Sequence, residues 1–318
     1  MRLFKRKAAP AFAIDKSQGD PAAARLRGWL RQRDWPAVRD FFSRAVDPDD
    51  RSFYLSVCGD VEGVQDWIGQ AVDAEPHSTL PLLVKGAHGI RWAWEARGAL
   101  GAEHTQAEQF REFFKRLKMA ENCLDEVVER NPDEVAAWAC LVTSARGRQV
   151  DRDEAQRRFQ AVVTRSRWHR HAHEQMLQYR CQKWYGSHDE MFEFARASAA
   201  APPSTGLAYL VAVAHIEKWL DLPSGQDDAY MSSREVVAEL HAAADLSVRH
   251  PSFRRRPGWP TPHNVFAFAY VCAGEWDAAA AQFDAIGDLA TDWPWGYHRG
   301  DEVGEFLEFR EQAFRNRS

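Results

Sequence analysis

Apolar positions recur at helical spacing from one end of the chain to the other. The first patterns cover residues near 20–33, 35–46, 50–58 and 60–75, and two longer ones run near 79–98 and 105–130. Shorter patterns then come in pairs: 133–146 with 152–166, 168–181 with 187–201, 204–220 with 232–249, and 261–273 with 276–289. A last one, 301–316, puts Val303, Phe306, Leu307, Arg310 and Phe314 three or four apart, on one helix face. Alternating β-branched runs are few, and the Asn-Gly or Asp-Gly turns of hairpins do not occur. The pattern predicts an all-α protein.

Polar residues mark where several of these helices should begin. Thr105 with Glu108, Ser187 with Glu190 and Ser232 with Glu235 have capping-box spacing, which satisfies two orphaned amide donors at a helix start. Asn131-Pro132 and Thr261-Pro262 each set a polar cap before a proline, whose missing N–H is not needed in the first turn. The Trp184-Tyr185-Gly186-Ser187 stretch reads as a corner between two helices. There Gly186 is expected in a left-handed conformation and Ser187 at the next N-cap.

Two of the pairs carry a resemblance. Pro132, Trp138, Leu141, Ala155, Phe159 and Val162 resemble a tetratricopeptide repeat, with a small residue where the helices cross and large ones on either side. Tyr270, Gly274, Trp276, Ala279 and Phe283 form a second match. Elsewhere second helices start 25 to 47 residues apart, against about 34 in a regular array. The resemblance implies a degenerate, right-handed superhelical α-solenoid of antiparallel helix pairs with a C-terminal capping helix. It also implies that the first helices of each pair line a concave groove. Trp184, Gly186, Ser187 and Met191 are further similar to a corner found in a family of functionally uncharacterised bacterial proteins, which brings no mechanism.

Composition fits one solenoid domain, 20–318, preceded by a basic, flexible tail, 1–19. The 318 residues are 45% apolar, enough for a sizeable core, and no apolar run is long enough to span a membrane. Five cysteines without a C-x-x-C pair read as reduced core residues of a cytoplasmic protein. The net charge of −5 is uneven: Val142 to Lys183 holds ten Arg/Lys and four Asp/Glu, an excess of +6 in an otherwise acidic chain.

Candidate chemistry clusters in that band and in one loop. His169 and His173 share a helix face with Arg180 close to the same line, and Arg165, Arg167 and Arg170 lie nearby. A metal site would need a third ligand, and the arginine opposes a cation, so no metal or other cofactor is expected. Two readings stand for this face: a basic, pH-sensitive surface for carboxylate or phosphate, or an ordinary solvated helix face. The stretch 250–262 holds four prolines, Arg254, Arg255, Arg256 and Trp259, and reads either as a partner-contacting loop or as a plain insertion. No glycine-rich phosphate loop or nucleophile elbow occurs. The expected function is a non-catalytic scaffold that binds a protein or peptide, acidic by charge, in the groove. A regulator sensing a small peptide or metabolite is the alternative, an enzyme a distant third, and nucleic acid the poorer partner for an acidic chain.

Overall fold

The computed structural model describes residues 12–98, 106–297 and 301–318. Among the described residues there are sixteen α-helices and no strand, so the all-α expectation holds. The helices are α1 Pro21–Arg31, α2 Trp35–Arg44, α3 Pro48–Gly59, α4 Ile68–Ala74, α5 Leu80–Arg97, α6 Ala107–Arg130, α7 Val135–Arg148 and α8 Arg152–Arg165. They continue as α9 Arg170–Tyr179, α10 His188–Ala199, α11 Leu210–Asp221, α12 Gln226–Met231, α13 Arg234–Asp245, α14 Pro260–Ala273, α15 Trp276–Ile286 and α16 Glu302–Asn316.

Departures from the predicted elements have local causes. Gly63 and Gly206 take left-handed φ of 81° and 74°, which breaks the 60–75 and 204–220 patterns into 3₁₀ turns followed by a helix. Ser187 does cap α10, accepting from Glu190 N–H at 3.2 Å, but the Glu190 carboxylate turns to Arg152 at 2.6 Å instead of closing a box. Ser233, not Ser232, caps α13, while Ser232 Oγ donates back to the Asp228 carbonyl. Asn131 ends α6 instead of opening α7, and α14 starts earlier than expected, with Pro260 and Pro262 in its first turn. Thr105 lies outside the described residues, and α6 opens on Gln106, whose N–H donates to the Gln109 side chain at 3.0 Å.

Helices α1, α3, α5, α7, α9, α11, α14 and α16 form a row in which each touches the next. Helices α6, α8, α10, α13 and α15 each pack across two neighbours of that row. Burial separates the layers. In α14, 12 of 14 residues are buried, whereas α8 buries 4 of 14 and turns its charged face outward. The row also curls on itself, because α3 reaches past α5 to touch both α7 and α9. Two apolar clusters result, one from Ala23 to Leu141 and one from Val135 to Ala313, with Trp138 against both.

Residues 12–19, expected in a flexible tail, are docked: Phe12 and Ile14 pack against the C-terminal cluster. The rest of that tail lies outside the described residues. No described helix is long and apolar enough to cross a membrane.

Candidate functional site

The residues singled out by sequence converge on the joint between α3, α9 and the loop before α14. His169 is the N-cap of α9: its Nδ1 accepts from Ala172 N–H at 3.2 Å. The ring proton therefore sits on Nε2, which donates to the Pro48 carbonyl at 3.2 Å and lies 3.1 Å from Ser52 Oγ. His173 Nδ1 donates to the His169 carbonyl at 2.8 Å, and its ring packs against Phe159 at 5.1 Å and Phe194 at 5.9 Å. Both imidazoles are buried, and desolvation lowers the pKa of each. The accessible, pH-sensitive basic surface expected of them is not present: the pair is part of a helix joint.

Charged groups around the joint are matched internally. Asp49 accepts the Arg170 backbone N–H at 2.7 Å, so a carboxylate of α3 sits at the N-terminus of α9. The Arg170 guanidinium donates to the Pro257 carbonyl at 2.8 Å, and Arg256 pairs with Asp47 and, at 2.9 Å, with Asp50. Burial by itself would raise the Glu174 carboxyl, but His171, Arg170 and the Tyr209 hydroxyl outweigh it and hold it down to about 2. The loop of 250–262 is thus an internal clamp at Arg256 and Pro257. Arg255 lies over Trp259, 4.2 Å from the ring centre, and Arg254 folds onto the Pro251 and Phe253 carbonyls.

Ser52, His169 and Asp49 are the residue types of a nucleophilic triad, yet the geometry opposes that chemistry. A general base needs a free Nε2 lone pair towards the hydroxyl, and here Nε2 carries the proton. Asp49 is 3.9 Å from Nδ1 and engaged by Arg170, and Ser52 is only 4% exposed.

The basic band is largely neutralised by carboxylates from outside it. Glu121 takes Arg148 and Arg158, both at 2.7 Å, Asp133 takes Arg165 at 3.0 Å, Glu190 takes Arg152 and Glu217 takes Lys183. Arg180 is half-buried over Phe194 and donates to Gln156 at 3.1 Å. It shares the Phe194 ring with His173, so the two do lie on one face, but that face is packed against α8 and α10. What stays outward lies along α8. A shallow groove there is lined by Trp138, Gln156, Arg157, Gln160, Ala161, Thr164, Arg165 and one carboxylate, Asp153. Arg157 stands 5.5 Å from the Trp138 ring, and at the helix end Arg167 stands 4.7 Å from the Trp168 ring. Trp138, expected to pack between helices, does pack against both apolar clusters, and the rest of its ring lines this groove.

The corner after α9 is structural. Trp184 meets Trp94 edge-on at 5.9 Å, and Tyr185 stacks on Tyr179 at 4.9 Å. Gly186 is not left-handed, contrary to expectation: a Cβ there would lie 2.0 Å from the Arg180 carbonyl oxygen, so close approach demands glycine. No protein-family model matches the chain, and no curated protein matches it.

Proposed function

We propose that this chain is a non-catalytic scaffold or adaptor of tetratricopeptide-like α-solenoid build that binds an acidic protein segment. The row of successively touching helices, with a second layer packed across it, supports the solenoid reading. The inner side of the curl is filled by α3 and the loop before α14, so the partner is assigned to the outer face. The observation that carries this is the α8 groove with its Arg157–Trp138 pair, with Arg167 over Trp168 past the end of the helix. Arginine and tryptophan supply flat, partly desolvated contact area and dominate many interfaces. Arg157 is held by Glu154, and Arg165 by the exposed Asp133. Exposed pairs of this kind contribute about 0–1 kcal/mol, so an incoming carboxylate exchanges for them at little cost.

The test is an array of acidic peptides probed with the full chain, followed by the Arg157→Glu/Arg165→Glu/Arg167→Glu variant. Binding that falls with salt and drops at least about tenfold in the variant supports the reading, as screening over about 8 Å requires. A folded variant that binds as wild type removes the α8 face from it. Preference for oligonucleotides over acidic peptides would assign the face to nucleic acid instead.

A further inference from the structure

Residues 12–19 lie against α14, α16 and the stretch 289–292. Phe12 stacks on Phe306 of α16 with ring centres 5.3 Å apart, and Arg310 covers it at 5.7 Å. Lys16 is ion-paired with Asp292, 276 residues away, with the Asp60 carboxylate also in its field. Thr261 Oγ1 donates to the Gln18 side chain at 3.3 Å. Gly19, at a φ of 74°, lies so close to Leu289 that a Cβ would stand 3.0 Å from its methyl carbons. Phe12, Ile14 and Lys16 are half-buried while Ala13 and Asp15 are exposed, the alternation of an extended strip lying on a surface.

The strip is held by side chains. Its backbone bonds stay local, from Gln18 to Asp15 and from Asp20 to Ser17, and the Asp15 carboxylate caps the N–H groups of Ser17 and Gly19. Such a segment leaves without breaking a helix or a sheet. The surface it covers, made by α14, α16 and Leu289 to Asp292, then offers an aromatic shelf at Phe306 and a carboxylate at Asp292.

We propose that residues 12–19 are a cis-bound ligand of this C-terminal surface, and that, once released, the surface accepts in trans an extended segment of the same chemistry. That chemistry is an aromatic residue, an aliphatic one two positions later and a cation two positions after that. The ion pair is half-exposed and screened, so the aromatic contact supplies most of the hold and the cation fixes the register. This proposal is independent of the α8 groove.

The experiment uses the full chain and a fluorescent peptide of residues 10–20, read by anisotropy. A Phe12→Ala/Lys16→Asp variant, with its strap loosened, is expected to bind the peptide at least about tenfold more tightly than wild type. In wild type the surface is free only for the fraction of time the strap is off. In a Phe12→Ala/Lys16→Ala background, where no swapped pair can form in cis, Asp292→Lys should weaken peptide binding severalfold, and a peptide carrying aspartate at the Lys16 position should recover it. A folded variant that binds no peptide overturns the proposal. Hydrogen exchange on wild type serves if the variant does not fold. Amides of 16–19 exchanging faster than those of α16 support a separately opening strap, and exchange of both at one common rate refutes it. A wild-type dimer with the strip crossed between copies would also overturn the cis assignment.

Discussion

At the corner after α9, a Cβ on Gly186 would overlap the Arg180 carbonyl oxygen, and nothing in a backbone can yield as a flexible side chain does. Gly186→Ala should therefore lower stability by about 1–3 kcal/mol, the range for overpacking. Ser187→Ala, which removes one N-cap bond, should cost about 1 kcal/mol. Thermal melts giving equal, small effects would contradict this ranking. The need for glycine was legible in the sequence; its reason was not, because a contact with a carbonyl six residues back leaves no compositional sign. His215 is the second residue-scale case. It is buried between the Tyr230 hydroxyl at 2.6 Å and Glu239 at 3.0 Å, and desolvation lowers it from 6.5 to about 4 despite that carboxylate. A depressed histidine takes up its proton in the unfolded chain first. Its contribution is complete above pH 6.5 and is lost as pH falls towards 4, up to about 3 kcal/mol. His169, His173, His88 and His263 are lowered in the same direction and add to the slope. Melting temperature should drop steadily from pH 6.5 to 4.5, and His215→Gln should flatten the curve. A flat wild-type profile would contradict the buried, neutral assignment.

Helix joints are where polar residues reach across elements. Glu121 of α6 binds Ser144 of α7 at 2.8 Å, Arg148 at 2.7 Å and Arg158 of α8 at 2.7 Å, and both Glu121 and Arg158 are buried. Glu121→Ala would leave the Arg158 guanidinium without its deepest partner. The expected loss is about 3–5 kcal/mol in denaturant unfolding, against under about 1 kcal/mol for an exposed pair such as Arg111–Glu108. Similar losses for Glu121→Ala and Glu108→Ala would contradict the buried-network reading. The helices themselves were legible because their apolar stripes repeat locally. Starts shifted where two caps competed, as at Ser232 and Ser233, since both hydroxyls have the chemistry and only packing selects one. Asp20-Pro21 and Asp47-Pro48, which do open helices, carried the same signal and were missed.

Across the whole molecule, the outcome turns on curvature. Repeat spacing implied successive helix pairs and an accessible inner face carrying His169, His173 and Arg180. In the structure α3 covers His169 while α8 and α10 cover His173 and Arg180, and the contacts that bring residues 12–19 to the C-terminal part join residues 243 and 276 apart. Such distances lie far outside any helical or repeat period, so the closure has no periodic trace in the chain. It also removes the pH dependence of partner binding that surface histidines would give. Binding at the α8 face should change less than about twofold from pH 5.5 to 8 in any range where the fold is intact, because its cations are arginines, always protonated there. A strong loss on deprotonation would point to a different surface.

The closure itself is open to a direct chemical measurement: zero-length carbodiimide coupling of the wild-type monomer, read by peptide mass spectrometry. Lys115–Glu112 serves as the internal reference, since it is ion-paired within one helix and its carboxylate is accessible. A Lys16–Asp292 isopeptide in the monomeric fraction, at a yield comparable to that reference, is the predicted result. Coupling at the reference pair with none between Lys16 and Asp292 would contradict a chain in which residues 12–19 close onto the C-terminal part.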